Sequence, residues 1–326
     1  MIDLASLSLP ILIGILLAGL ALIIFGAEYL VDGASAIARR CKVSEFVIGL
    51  TIVGMGTSAP ELVVSLVGAF EGNADIAVGN VVGSNIFNTL LILGVTALLM
   101  PIAITPGNRK VDIPMNIGVS LLVLGLGMTA ALLHFGDNML SRVDAAILLV
   151  LFLLYIWYSF AHGEKTESEA PGKTYPLWGA ILMVLCGLAA LIFGGRFFVD
   201  SATEIAHKIG ISDKFIAITI LAGGTSAPEL ATCIVAAVKK KGQLALGNII
   251  GSNIFNLMLI LGCAALVTPI SFASLDLVDA ALLVGSALLL GLSVLTGKKN
   301  SLDRWEGAVL VAAWIGYMAY LIYGIL

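Results

Sequence analysis

Gly56-Thr57-Ser58-Ala59-Pro60-Glu61 returns letter for letter as Gly224-Thr225-Ser226-Ala227-Pro228-Glu229, 168 residues further along the chain. Each copy lies inside a long apolar segment, where a carboxylate and a proline are both out of place. A charge at mid-bilayer costs roughly 2.5–3.5 kcal/mol on an insertion scale, so an intramembrane glutamate marks a functional position. Here the mark is made twice.

The same offset of 168 carries Phe25-Gly26 and Val31-Asp32 onto Phe193-Gly194 and Val199-Asp200. It carries Gly79-Asn80 onto Gly247-Asn248 and Gly83-Ser84-Asn85-Ile86-Phe87-Asn88 onto Gly251-Ser252-Asn253-Ile254-Phe255-Asn256. Pro101-Ile102 still matches Pro269-Ile270, and no gap is needed. Chance apolar similarity does not keep Pro, Glu, Ser and Asn in register, so the chain is an internal duplication.

Around these motifs the 326 residues are 60% hydrophobic and only 12% charged. A soluble domain is nearer half apolar and one quarter charged, so the composition reads as an all-α polytopic membrane protein. Runs of about twenty apolar residues fall at 9–31, 46–70, 75–99, 113–134, 142–161, 177–199, 211–238, 243–267, 276–296 and 304–325. These are ten expected transmembrane helices. The polar stretch 161–176 reads as a cytoplasmic linker between a first five-helix repeat, 1–160, and a second, 177–326.

Five is odd, so the second repeat enters from the opposite side of the bilayer, the inverted topology common among secondary transporters. Lysine and arginine placement tests this separately through the positive-inside rule. With both termini extracytoplasmic, the cytoplasmic loops hold Arg39, Arg40, Lys42, Arg109, Lys110, Lys165, Lys173, Lys239, Lys240, Lys241, Lys298, Lys299 and Arg304, thirteen of the seventeen cations. The expected location is the cell (inner) membrane, with the lipid bilayer as partner. Lys239-Lys240-Lys241 reads as a topology signal and a solvated loop, with no specific partner expected. The first apolar segment is long enough to span and lacks a basic leader, so a retained helix is expected rather than a cleaved signal peptide.

Thr57, Ser58 and Glu61 are spaced to share one helix face. Pro60 has no N–H and clashes with the carbonyl four residues back, at Gly56. Pro228 does the same to Gly224. Broken helices whose freed backbone groups line a cavity are how membrane proteins hold ions at mid-depth. Ser84 and Asn88, like Ser252 and Asn256, sit one helical turn apart and add neutral oxygens. Asn85 and Asn253 read as hydrogen bonds to neighbouring helices. Gly79 and Gly83, like Gly247 and Gly251, form a GxxxG spacing that lets helices approach closely. Asp32 and Asp200, near the expected ends of their helices, read as capping or inter-helix hydrogen bonds.

The inventory is one of hard oxygens, without duplicated His or Cys, and suits sodium and calcium as transported ions rather than any resident cofactor. Cys41, Cys186, Cys233 and Cys263 lack CxxC spacing and form no disulfide or zinc framework. The net charge of −4 and the absence of basic patches exclude a nucleic-acid partner. HExxH and P-loop spacings are missing, so no enzyme is expected.

At these residues the chain resembles the calcium/cation antiporter superfamily, specifically the prokaryotic sodium/calcium exchanger type. The paired GTSAPE and GNxxGSNIFN motifs carry the resemblance, which covers essentially the whole chain. It implies two inverted five-helix repeats, a central four-helix core, and alternating-access exchange of sodium against calcium. It further implies ion ligands at Thr57, Ser58, Glu61, Ser84 and Asn88 in the first repeat, and at Thr225, Ser226, Glu229 and Ser252 in the second. Backbone carbonyls of Gly54 and Ala222 join them. Some microbial members carry aspartate where this chain has Asn256, and others carry asparagine, so only two carboxylates remain here.

Overall fold

The structure, a computed structural model, describes residues 4, 7–72, 75–129, 137–163, 175–211, 222–273, 275–296 and 301–323. Among these residues it is helical apart from four two-residue strands. The helices are α1 Leu9–Cys41, α2 Glu45–Thr57, α3 Ala59–Phe70, α4 Ile76–Leu99, α5 Asn108–Gly127, α6 Arg142–His162, α7 Leu177–Lys208, α8 Ala227–Val238, α9 Gly242–Val267, α10 Leu277–Thr296 and α11 Arg304–Tyr323. Eight are long and apolar enough to cross a membrane, and α2 with α3 forms a ninth span bent by 48°. Part of the expected span 211–238, residues 212–221, lies outside the described residues, and its described remainder holds the short turn Ala222–Gly224 and α8.

Two helices run past their expected ends. α1 continues to Cys41 and α7 to Lys208, about nine residues beyond the positions where Asp32 and Asp200 suggest that the apolar run stops. The extension of α1 is built from small residues, Gly33-Ala34-Ser35-Ala36, all buried against the rest of the protein. Asp32 and Asp200 are therefore mid-helix residues and not caps. Asp32 pairs with Lys239 at 2.8 Å, and Asp200 pairs within its own helix with Arg196 at 3.6 Å. Lys241 likewise holds Glu45 at 2.5 Å. The Lys239–Lys241 loop is thus a pair of ionic ties between α8, α1 and α2, because its two outer cations lie close enough to carboxylates to pair.

Burial separates core from periphery. In their most apolar stretches α4 is 78% and α9 83% buried, against 22% for α1 and 17% for α11. The exposed faces are apolar as well, with Trp157, Trp178, Phe193 and Ile315 turned outward. An apolar exterior of this size fits a lipid surround and not water.

Close approach within the core depends on glycine. A Cβ at Gly247 would lie 2.2 Å from the Phe46 carbonyl and one at Gly251 2.3 Å from that of Leu50, so α9 rests backbone to backbone on α2. The second GxxxG is used as expected. No described residue lies within 4 Å of a Cβ at Gly79 or Gly83. Positions 214 and 218, which the 168-residue offset matches to Phe46 and Leu50, lie outside the described residues.

α1 and α7 form a second glycine contact, at the periphery. They are antiparallel, and Gly19, Gly26 and Gly33 meet Gly194, Gly187 and Ala180 in turn, with added Cβ atoms 2.8–2.9 Å from the facing carbonyls. Glycine every seven residues returns to the same face every two turns.

Short antiparallel clasps close the two ends. Ile102–Ala103 pairs with Ser301–Leu302, and Met139–Leu140 with Ile270–Ser271. Each clasp buries a matched apolar pair, Ile102 on Leu302 and Leu140 on Ile270, all fully buried. The long helix α5 runs from beside one clasp to beside the other, so they lie at opposite ends of the bundle. Arg142 strengthens one of them by donating from its guanidinium to the Leu266 and Val267 carbonyls at 3.0 and 3.1 Å, where α9 ends.

Gly187→Ala places a methyl against Leu30 N and Gly26 O, at 2.7 and 2.8 Å. Backbone cannot give way there. Overpacking of about 1–3 kcal/mol outweighs the gain of about 1 kcal/mol in helix propensity, so the variant melts lower in detergent than the wild type. Gly14→Ala, with nothing within 4 Å, melts at or above it.

Candidate cation site

Both duplicated motifs break their helices in the same way. α2 ends at Thr57 and α3 begins at Ala59 with Pro60 in its first turn, while Ala222–Gly224 is followed by α8 with Pro228 in its first turn. The intervening serines adopt matching backbone angles, φ −81° and ψ 10° at Ser58, φ −88° and ψ 9° at Ser226. Each glutamate is then the third residue of a helix, where the positive end of the helix dipole favours a carboxylate.

Ser-x-x-Glu at a helix start is the sequence of a capping box, in which the serine and glutamate serve their own helix. Neither serine makes such a cap. Ser58 instead donates to Glu229 Oε1 at 2.8 Å, and Ser226 donates to Glu61 Oε1 at 3.1 Å. The two motifs are exchanged across the centre of the protein. Ser84 on α4 also reaches Glu61 Oε1, at 3.5 Å, and accepts from Ser226 at 3.3 Å.

The Gly54 carbonyl, beside the break, accepts from the Thr57 and Ser252 hydroxyls, both at 3.3 Å, and from the Ser58 amide at 3.1 Å. Thr57 and Ser252 adjoin Glu229, and Thr225 adjoins Glu61. Thr57, Ser58, Glu61, Ser226, Glu229, Ser252 and Asn256 have no solvent exposure, and Asn88 and Ser84 have 1–2%. Thr225 is half-buried, and Ala222 is described by its backbone alone.

α4 and α9 carry a feature that residue spacing alone does not predict. Each widens into a π-helical turn, Phe87–Ile92 and Phe255–Ile260, again 168 residues apart. The turns begin one residue before Asn88 and Asn256, a common placement for such bulges at functional positions. The leading phenylalanines are wedged edge-on against aromatics, Phe87 on Trp314 at 5.0 Å and Phe255 on Phe152 at 6.0 Å.

Asn85 and Asn253 bond to the neighbouring helix, as expected. Asn85 donates to the Asn253 carbonyl at 3.1 Å and accepts from the Asn256 amide at 3.0 Å. Asn253 accepts from the Asn88 amide at 3.3 Å and donates to Thr89 at 2.8 Å. Two more residues emerge only in three dimensions. Asn80 donates to the Glu61 carbonyl at 3.2 Å and to Ser65 at 3.1 Å. Asn248 accepts from Thr57 at 3.2 Å and donates to the Cys233 sulfur at 3.3 Å. Their signal in the sequence is the duplicated Gly-Asn pair.

Four buried oxygens at this centre accept no hydrogen bond among the described residues: Glu61 Oε2, Glu229 Oε2, Asn88 Oδ1 and Asn256 Oδ1. They form two pairs related by the 168-residue offset. Buried acceptors are otherwise almost always paired, because leaving one unpaired costs roughly 1–3 kcal/mol. Four together, two of them carboxylate oxygens, make an acceptor-only centre that a cation would satisfy. The donors gathered here are carboxylate, hydroxyl, amide and backbone oxygens, the hard ligands that suit sodium and calcium.

A polytopic membrane protein with broken helices meeting at such a centre has the build of an ion transporter. The sodium/calcium exchanger protein family matches residues 11–161 and 179–323, and the chain belongs to it. The sodium/calcium exchanger MaX1 of Methanosarcina acetivorans is 33% identical over 345 aligned positions, covering 95% of this chain and 98% of the relative. The membrane protein MJ0091 of Methanocaldococcus jannaschii is 35% identical over 310, covering 95% and 97%. Among solved structures, the sodium-calcium exchanger NCX_Mj superposes with a TM-score of 0.83 at 31% identity, covering 96% of this chain and 99% of that one.

Ser226→Ala removes the shorter of the two hydrogen bonds to Glu61 Oε1 from the described residues, so folding stability in ion-free buffer drops by about 1–3 kcal/mol. Ser35→Ala is the control: that hydroxyl is equally buried but has no partner among the described residues, and its loss is neutral or stabilising. Detergent melting curves of the two variants read the difference.

Proposed function

We propose that the chain is a secondary active antiporter that exchanges sodium for calcium across the cell (inner) membrane by alternating access. The observation that carries the reading is the set of four unpaired buried oxygens on Glu61, Glu229, Asn88 and Asn256. Two carboxylates balance one calcium ion. Thr57, Ser58, Ser84, Thr225, Ser226 and Ser252, with the Gly54 and Ala222 carbonyls, supply the remaining oxygens of a shell that wants six to eight. Sodium ions compete for the same carboxylates.

Ten helices in two inverted five-helix repeats, 1–160 and 177–326 joined by a cytoplasmic linker at 161–176, put both termini on the extracytoplasmic side. Support comes from the matched helix breaks, π-turns and clasps, and from the lysine and arginine asymmetry. The exchange follows from electrostatics. An empty pocket carries two uncompensated charges, which resist passage through an apolar constriction because dehydrating each costs several kcal/mol. A loaded pocket is neutralised and switches faces. The matched family and the relative MaX1 are named as sodium/calcium exchangers, which fits a transporter and not an enzyme.

Removing one member of a buried charge arrangement costs about 3–5 kcal/mol, or at least a hundredfold in binding. Glu61→Gln and Glu229→Gln in proteoliposomes should each abolish sodium-gradient-driven calcium-45 uptake to that degree. Near-normal uptake in both would overturn the assignment. Uptake driven by a pH jump without sodium would instead identify a proton-coupled exchanger.

A further inference from the structure

Asn85 and Asn253 lie beside the unpaired oxygens, and the side-chain oxygen of each is already engaged by a neighbouring asparagine. The Oδ1 of Asn85 accepts from Asn256, and the Oδ1 of Asn253 accepts from Asn88. What they control is orientation. The two ends of a carboxamide have nearly the same size and opposite electrostatic character, so a free asparagine in a cation site can turn its NH2 toward the ion. A clamp must therefore distinguish oxygen from nitrogen.

The chain of donors begins at a group that cannot be reversed. The Asn253 backbone carbonyl only accepts, so Asn85 must face it with Nδ2, at 3.1 Å. The Oδ1 of Asn85 is then left to face Asn256, which must answer with its own Nδ2, at 3.0 Å. The Asn256 oxygen points away, buried and without a donor among the described residues. In the other half Asn253 directs its Nδ2 to the Thr89 hydroxyl at 2.8 Å, which either accepts or donates, so the orientation holds there while that hydroxyl accepts. The Asn253 Oδ1 then takes the Asn88 amide at 3.3 Å, and the Asn88 oxygen is the end left unpaired among the described residues. The clamps cross: a residue of α4 orients one of α9, and a residue of α9 orients one of α4. All four side chains are at most 2% exposed, so water cannot substitute for a lost clamp without rearrangement.

We propose that Asn85 and Asn253 are positioning residues that set ion affinity, each holding the other repeat's asparagine, Asn256 or Asn88, with its oxygen and not its NH2 toward the transported cation. The inference rests on the cation-site reading above. It assigns the affinity of the neutral half of the shell to two residues that touch no ion. Outer-shell partners of this kind typically change metal affinity 10–100-fold when removed.

The test is a double-mutant cycle on the full chain in proteoliposomes, reading the half-saturating calcium concentration and the maximal rate of sodium-driven uptake. Asn85→Ala should raise half-saturation about tenfold, at the low end of that range, with a maximal rate within about twofold of wild type. Asn256→Ala should raise it at least as much. The double variant should be no worse than Asn256→Ala alone, because a clamp has nothing to do once its ligand is gone. Asn253→Ala and Asn88→Ala should behave as a second such pair. The mismatched combination of Asn85→Ala with Asn88→Ala should multiply.

An unchanged half-saturation in Asn85→Ala, no effect in Asn256→Ala, or effects that multiply within a clamped pair would each overturn the proposal. Asn85→Ser, which keeps a small polar side chain, reads the same cycle if the alanine variant does not fold. A wild-type chain without sodium-driven calcium uptake would mean failure of the antiporter reading and not of the clamp.

Discussion

Two carboxylates with no solvent exposure lie at the centre of an apolar bundle, and each relies on a hydroxyl from the opposite half of the chain. Ser58 serves Glu229, and Ser226 serves Glu61. Neither half satisfies its own glutamate by the local capping that its sequence would allow. The halves are therefore tied at the point where charge is most costly, and the helix breaks, the π-turns and the glycine contacts all serve to bring those groups within reach.

Packing around that centre is graded. α2 and α9 touch backbone to backbone at Gly247 and Gly251, and α4 and α9 are the most buried of the long helices. α1 and α7 meet each other through a glycine ladder but present most of their surface outward. Their links to the core include the Lys239–Asp32 pair and the contact of Leu188 and Val199 with Gly56 and Gly224 at the two breaks. A well-packed centre thus sits beside an outer pair whose closest packing is with itself. Closed at both ends by matched clasps, the rest of the bundle holds its register.

Much of the arrangement is legible along the chain. The exact repeat at 168 residues locates both breaks, both glutamates and the four Ser and Asn positions on α4 and α9, because polar residues in an apolar helix stand out. The GxxxG at Gly247 and Gly251 is likewise read correctly. Where the reading falls short, the reason is physical. Charges at Asp32 and Asp200 suggest helix ends, yet ion pairs with Lys239 and Arg196 let both helices continue. The π-turns at Phe87 and Phe255 leave no local signature, since the extra residue per turn is held by aromatic packing from α6 and α11.

By itself the sequence determined that this is a duplicated membrane protein with a hard-oxygen centre, because residue type and spacing alone set hydropathy, helix breaks and available ligands. Only the tertiary structure decided which oxygen serves which partner. The Ser-x-x-Glu motif is equally suited to capping its own helix or to reaching across. The choice is made by a helix that arrives from the other half of the chain with a carboxylate of its own, which local sequence cannot foresee.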